Sequence, residues 1–343
     1  MTDPADIPAA PQAGQSADTP AGQPADIAAI VIGRNEGERL VACLASLAGQ
    51  VEQIVYVDSG STDGSLAVAR AAGARVVELD LSQPFTAARA RNAGRARLGA
   101  QGPAYLQFID GDCQMREGWL ATARAFLEIT PGAAVACGRR RERFVQASIY
   151  NALCDAEWDT PVGEALACGG DALMRTAAFD RVGGFREDLI AGEEPELCLR
   201  LRQAGWSIHR LDAEMTWHDA AITRFSQWWK RTKRAGHAFA EGAALHGDPP
   251  ERHWVRERNR ALAWGIVLPL AAVLPALAWP PSLLLLLAYP AQVVRLAIRA
   301  GGTRFAWLQS AFTTLGKIAE GQGLLQYYRR RLLRGEVKLM EYK

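Results

Sequence analysis

Residues 53–65 read Gln53-Ile54-Val55-Tyr56-Val57-Asp58-Ser59-Gly60-Ser61-Thr62-Asp63-Gly64-Ser65, a β-branched apolar run that stops at an aspartate and opens into a glycine-broken polar turn. Val, Ile and Tyr suit a pleated strand, and the Ser/Gly/Asp cluster ends it. Residues 65–72 then carry Ala, Leu and Val at helical spacing, with Asp63 placed to cap that helix. The same order repeats on both sides. Residues 27–32 end in Gly33-Arg34-Asn35-Glu36 before a helical stretch at 36–48. Residues 74–79 precede a helical stretch at 86–98, and residues 105–109 end in Asp110-Gly111-Asp112. Strands alternating with helices at this interval predict a parallel, doubly wound α/β sheet covered on both faces. Ligands of such sheets bind beyond the carboxyl ends of the strands. Three of those ends carry acids, Glu36, Asp58 and the Asp110/Asp112 pair, toward one crevice.

The 343 residues suffice for one large α/β domain and an appendage. A formal net charge of +2 gives no argument for a nucleic-acid partner. Six cysteines are scattered without a CxxC pair, which reads as reduced, buried thiols. Residues 1–25 are rich in Ala, Pro, Gln and Asp, without the apolar core of a signal peptide, and predict a disordered tail.

From about residue 131 the pattern turns to α+β. Helices are expected at 176–182 and 194–203, a short strand at 207–211, and an aromatic, basic helix at 222–246. No charged residue occurs between Ala261 and Val294, and Arg256, Arg258 and Arg260 precede that run while Arg295, Arg299 and Arg304 follow it. Two legs, roughly 261–279 and 282–299, approach the ~20 apolar residues a bilayer core requires, with Pro280-Pro281 as the turn. Basic flanks at both ends predict a hairpin or re-entrant pair entered from the cytoplasm. Residues 303–334, with Trp307, Phe312, Leu315, Tyr327 and Tyr328 among basic residues, read as an amphipathic helix suited to a membrane surface. The resulting division is a tail at 1–25, a catalytic domain at 26–240, and a helical region at 241–343.

Asp110-Gly111-Asp112 sets two carboxylates one residue apart just past a strand, a hard-oxygen pair that can share Mg²⁺ or Mn²⁺ with a diphosphate. Gly192-Glu193-Glu194-Pro195-Glu196 clusters acids at a helix start, where the dipole tolerates them. One of them can serve as the base that deprotonates an acceptor hydroxyl.

Together these stretches resemble glycosyltransferase family 2, inverting enzymes of the GT-A fold. The resemblance rests on 29–36, 57–65, Ala90-Arg91-Asn92-Ala93-Gly94, 108–112, and 182–185 leading to Gly192-Glu193-Glu194, in the family's order over about 27–240. It implies that Asn35, Glu36 and Asp58 surround the base and ribose of a nucleotide sugar, and that Arg91 belongs to the donor site. It implies a metal-binding role for Asp110 and Asp112, Asp112 being the direct ligand. Glu194 stands where the family usually has the Asp of its Glu-Asp pair, and Glu193 is the alternative base. His218, in Trp217-His218-Asp219, resembles a histidine near the diphosphate; a structural role is the other reading. Arg231 and Arg234 could neutralise the leaving diphosphate. Gln227-Trp228-Trp229-Lys230-Arg231 departs from the QxxRW of processive synthases.

The expected activity is transfer of a sugar from a UDP-, GDP- or dTDP-linked donor to a hydroxyl, on a lipid-linked acceptor or a polysaccharide precursor, at the cytoplasmic face of the inner membrane and in contact with its lipids. A polyprenyl-phosphate glycosyltransferase and a non-catalytic nucleotide-sugar-binding membrane protein are the alternatives. A Rossmann dehydrogenase is excluded because no GxGxxG follows the first strand.

Overall fold

The computed structural model describes residues 26–100 and 102–333; the tail at 1–25 and Arg334 lie outside them. Among the described residues one sheet contains nine strands: β1 (Ile27–Gly33), β2 (Gln53–Asp58), β3 (Arg75–Glu78), β4 (Tyr105–Asp110), β5 (Cys113–Met115), β6 (Ala133–Glu142), β7 (Gly163–Ala165), β8 (Ala172–Arg175) and β9 (Ser207–His218). Their order is β3-β2-β1-β4-β8-β6-β9-β5, with β7 on β9. The first four are parallel, as the alternation requires. Beyond β4 the sheet becomes mixed: β8 runs antiparallel to β4 and β6, while β6 and β9 pair in parallel.

Between the parallel strands lie α1 (Glu38–Leu47), α2 (Ser65–Ala71) and α3 (Ala87–Arg97). α1 buries Leu40, Cys43, Leu44 and Leu47, a 3–4 spacing that puts one stripe on the sheet. Thr86 caps α3 by accepting from the Arg89 N–H. The central strand β1 has both faces covered and is buried from Ile27 to Ile32. All six cysteines are free and buried.

The second half differs from expectation: β5, β7 and β8 were not anticipated, and two further differences shape the site. The strand expected at 207–211 continues to His218, and β6 was not anticipated. Both strands carry charged residues in their distal parts, Arg139-Arg140-Arg141-Glu142 and Asp212-Ala213-Glu214, which read as loop. Bulges near 137–140 re-aim side chains there.

Further helices are α4 (Trp119–Ile129), α5 (Ile149–Glu157), α6 (Thr176–Arg181), α7 (Glu193–Gln203) and α8 (Phe225–His246). α8 continues unbroken through residue 240. Then come two helices long and apolar enough to cross a membrane, α9 (Val255–Leu277) and α10 (Pro280–Arg299). α9 widens to π geometry at Ala263–Val267, just before Pro269, whose ring and missing N–H disturb the preceding turn. The two legs are tied where polar groups meet: Ser282 Oγ donates to the Ala272 carbonyl at 2.7 Å and the Tyr289 hydroxyl to that of Trp264 at 2.5 Å.

α11 (Arg304–Leu333) packs on α8 and α9 through glycines. A Cβ on Gly236 would strike the backbone of Glu320, one on Gly323 that of Lys233, and one on Gly265 that of Lys317. These helices approach too closely for any side chain at those points. Two aromatics expected on the membrane-facing side of α11 are used inside the protein instead. Phe312 meets Trp228 edge-on at 4.9 Å, and Tyr327 meets His237 at 5.4 Å.

Candidate functional site

A cavity of about 560 Å³ opens at the carboxyl ends of β1 and β4 and is lined on one side by Asn35, Glu36, Asp110, Asp112 and His218. Arg140, Trp158, Arg231 and Arg234 line it too. The sheet fixes the acids. Gly33 pairs with Asp58 and Ile32 with Asp110 in adjacent strands, so the chain leaves the sheet at one level in all three.

Asn35 sits at φ 55°, a left-handed conformation Asn tolerates. Its N–H donates to Ser61 Oγ at 2.9 Å, and its Oδ1 accepts from the Thr62 N–H at 2.7 Å. The first two strand-end loops are thereby stitched together. Asp58 is buried below them and does not line the cavity. Its carboxylate accepts from the N–H groups of Gly60 and Ser61 at 2.9 and 2.8 Å and from the Tyr56 hydroxyl at 3.0 Å. Glu36 pairs with Arg39 at 2.7 Å on the cavity wall.

Asp112 is buried, with Oδ1 3.4 Å from His218 Nε2. Glu142 stands 3.8 Å from His218 Nδ1 on the other side, and Trp158 packs edge-on against the imidazole at 4.7 Å. A carboxylate therefore faces each ring nitrogen of His218. A carboxylate oxygen beside an imidazole nitrogen, open to a cavity, fits a divalent cation whose remaining ligands come from a diphosphate.

Asp110 is held from behind. Arg91 donates to it at 2.8 Å and to Glu193 at 2.7 Å, while Arg140 stands 3.6 Å from its other oxygen. Burial alone would lower the pKa of Arg91; Asp110 and Glu193 outweigh it, and the guanidinium stays charged. Arg140 likewise keeps its proton against burial, chiefly through Asp171 at 2.8 Å. Asp171 is wholly buried and also accepts from Thr216 Oγ1 at 2.8 Å and the Asp110 N–H at 3.2 Å. Sequence reading missed Arg140, Glu142, Trp158 and Asp171. The three successive arginines of β6, with Glu142, were their only legible signal.

Neither glutamate of the expected base pair lines the cavity. Glu193 reaches it through Arg91 and Asp110. Glu194 is buried at the start of α7, where its Oε1 accepts from the Cys168 N–H at 2.5 Å and from the Cys198 thiol at 3.1 Å. Burial pushes its carboxyl above the usual range, against the pull of those donors. Arg231 and Arg234 both reach the cavity; Arg231 also pairs with Glu157 at 2.8 Å, and Arg234 donates to the Ile190 carbonyl at 2.7 Å.

Residues 28–181 match the sequence profile of Glycosyl transferase family 2. Over 250 residues the chain is 29% identical to the succinoglycan biosynthesis protein ExoA of Rhizobium meliloti, which covers 68% of this chain and 74% of that protein. Over 65 residues it is 40% identical to a TPR repeat-containing protein of Synechococcus elongatus, a match to 19% of this chain that spans only 16% of that relative's length. Among solved structures, the mannosyltransferase PcManGT of Pyrobaculum calidifontis, in complex with GDP-Man and Mn²⁺, superposes with a TM-score of 0.60 at 20% identity, covering 89% of this chain and 88% of that one. At that identity the superposition speaks for the fold.

Proposed function

The chain belongs, through residues 28–181, to glycosyl transferase family 2, and from that premise we propose a metal-dependent, inverting transfer of a sugar from a nucleoside diphosphate to an acceptor hydroxyl at a membrane. The observation that carries this reading is the cavity itself: an acid–imidazole corner made by Asp110, Asp112 and His218, with Arg231 and Arg234 among the residues around it.

Asp112 and His218 would hold Mg²⁺ or Mn²⁺, with Asp110 held beside them by Arg91; the metal, when bound, supplies positive charge to the diphosphate. Asn35 and Glu36 line the wall where base and ribose would lie, and Asp58 fixes the turn that meets them. Arg231 and Arg234 offset the charge that grows on the leaving nucleoside diphosphate. The acceptor oxygen bonds to the anomeric carbon as the carbon–phosphate-oxygen bond breaks, so the configuration inverts. The acceptor proton passes to Glu194, whose carboxylate must first turn from the Cys168 N–H and the Cys198 thiol toward the cavity. Desolvation makes that carboxylate more basic than an ordinary one, which suits it to the task, while Glu193 orients Arg91.

The acceptor is a lipid-linked glycoconjugate or polysaccharide precursor, and the exposed apolar legs α9 and α10 set the protein against the cytoplasmic face of a membrane. ExoA, named for succinoglycan biosynthesis, is a relative consistent with that substrate class. Donor hydrolysis measured over UDP-, GDP- and dTDP-sugars, with and without Mn²⁺, tests the reading. Release of one nucleoside diphosphate, dependent on metal, is expected; no hydrolysis of any donor under either condition would contradict it.

A further inference from the structure

A second cavity, of about 440 Å³, lies where the hairpin leaves the rest of the protein, lined by Arg252, Arg256, Asn259, Arg260 and Trp264. The arginines and Trp264 follow one another at intervals of four, and from Val255 onward that spacing lies on one helix face. All three arginines are exposed, and among the described residues no carboxylate lies within ion-pair distance of any of them. Three exposed guanidiniums along one cavity concentrate positive charge that an anion complements. Their planar forks match phosphate oxygens better than a point charge would.

Trp264 closes the end of the cavity where the uncharged run has already begun, the position an indole takes at a membrane interface. Beyond it stand exposed leucines and valines of α9, among them Val267, Leu270 and Leu274. An occupant that satisfies both ends has an anionic head and an apolar tail lying along the hairpin.

The segment leading into this cavity also touches both ends of α7. A Cβ on Gly192, at φ 85°, would collide with the Trp254 ring, and Arg202 of α7 pairs with Glu251 at 2.9 Å. Gly192 immediately precedes Glu193 and Glu194. A head group bound at the arginines therefore flanks Trp254, which packs on the residue just before the proposed base pair. Bulk lipid has no need of that adjacency, but an acceptor does.

We propose that Arg252, Arg256 and Arg260 bind the phosphate of a lipid-linked acceptor, whose tail lies along α9. This rests on the transferase reading and names its acceptor's chemistry.

The test uses the full chain in neutral detergent micelles doped with a polyprenyl phosphate, the matching uncharged polyprenol, phosphatidic acid, or inorganic phosphate in the buffer. Thermal unfolding is followed as each probe is titrated. The polyprenyl phosphate should raise the melting midpoint saturably, and the other three should not at equal concentration. Each Arg→Gln substitution should weaken the apparent affinity on the order of tenfold, as loss of a charge-assisted hydrogen bond does. If the triple variant fails to fold, the three single variants supply the reading. Equal stabilisation by phosphatidic acid or by inorganic phosphate overturns the acceptor assignment, as does an unchanged response in all three single variants. Donor and turnover play no part in this measurement, so its failure is distinct from failure of the transferase reading, which donor hydrolysis by the parent chain decides.

Discussion

β1 and the α9–α10 hairpin are similar in composition and opposite in fate. β1 reads Ile27-Ala28-Ala29-Ile30-Val31-Ile32-Gly33, and its apolar side chains are buried between helices on both sides of the sheet. The hairpin holds a longer apolar run, yet Leu277 is 92% exposed and Leu284 is 66% exposed. Burying a leucine is worth about 1.5–3 kcal/mol, so a row of leucines left outside the fold is the surface that the proposed membrane contact would cover. The polar groups follow the same division. In the sheet region, charges are paired and aimed at a cavity. In the hairpin, the few polar side chains, such as Ser282 and Tyr289, turn inward to satisfy freed backbone carbonyls, as an apolar surrounding requires.

The largest effects are expected in the sheet region. Glu194→Gln should lower turnover by roughly 10²–10⁴-fold while donor affinity by calorimetry stays within a few-fold, because the isostere cannot accept a proton. Should Glu193→Gln be the inactive variant and Glu194→Gln active, the two glutamates exchange roles. Arg140→Ala should cost about 3–5 kcal/mol in chemical denaturation, since it strands the charge of wholly buried Asp171. A loss near zero would show that the site's charges are not held together by that pair.

The hairpin side of the comparison predicts retention in membranes through high-salt and carbonate washes. Leu284→Arg should reduce the retained fraction, a central charge costing about 2.5–3.5 kcal/mol on insertion. A parent chain found wholly soluble and monodisperse without detergent would erase the contrast between the regions.

The smallest expected effect lies at the seam, where α8 meets α11. Burial raises Glu241 to about 7 and lowers His237 to about 4, and the two side chains stand 3.6 Å apart. For Glu241 the folded state binds the extra proton, so its contribution to stability declines as pH rises from about 4.5 toward 7. For His237 the unfolded state binds it, so stability rises with pH from about 4 to 6.5. The opposed slopes should leave the parent nearly flat. Glu241→Gln should unmask the rise and His237→Gln the fall, each with a slope of at most about 1.4 kcal/mol per pH unit. Identical profiles in all three proteins would remove this account of the seam.

What could be read in the sequence follows the same physics. Parallel strands buried on both faces are written as continuous apolar runs, so β1, β2, β3 and β4 were legible, and with them the acids at their ends. β6 and the distal part of β9 were hidden because their outer halves carry arginines and acids, the pattern of a loop, although Arg140 and His218 among them line the cavity. Asp171 left no mark at all: a lone aspartate becomes meaningful only when folding sets Arg140 and Thr216 against it. The inward turn of Glu194 toward Cys168 is equally a long-range fact, joining residues 26 apart in sequence.

The central claim is that the cavity at the sheet's edge binds a nucleoside diphosphate through a metal held at Asp112 and His218. Titration calorimetry of the parent and of Asp112→Ala with UDP, GDP and dTDP, in Mn²⁺ and then in chelator, addresses it directly. The account predicts that the parent binds one nucleotide in Mn²⁺ and loses it in chelator, while Asp112→Ala binds it in neither. Binding by Asp112→Ala in Mn²⁺ with the parent's affinity would contradict it.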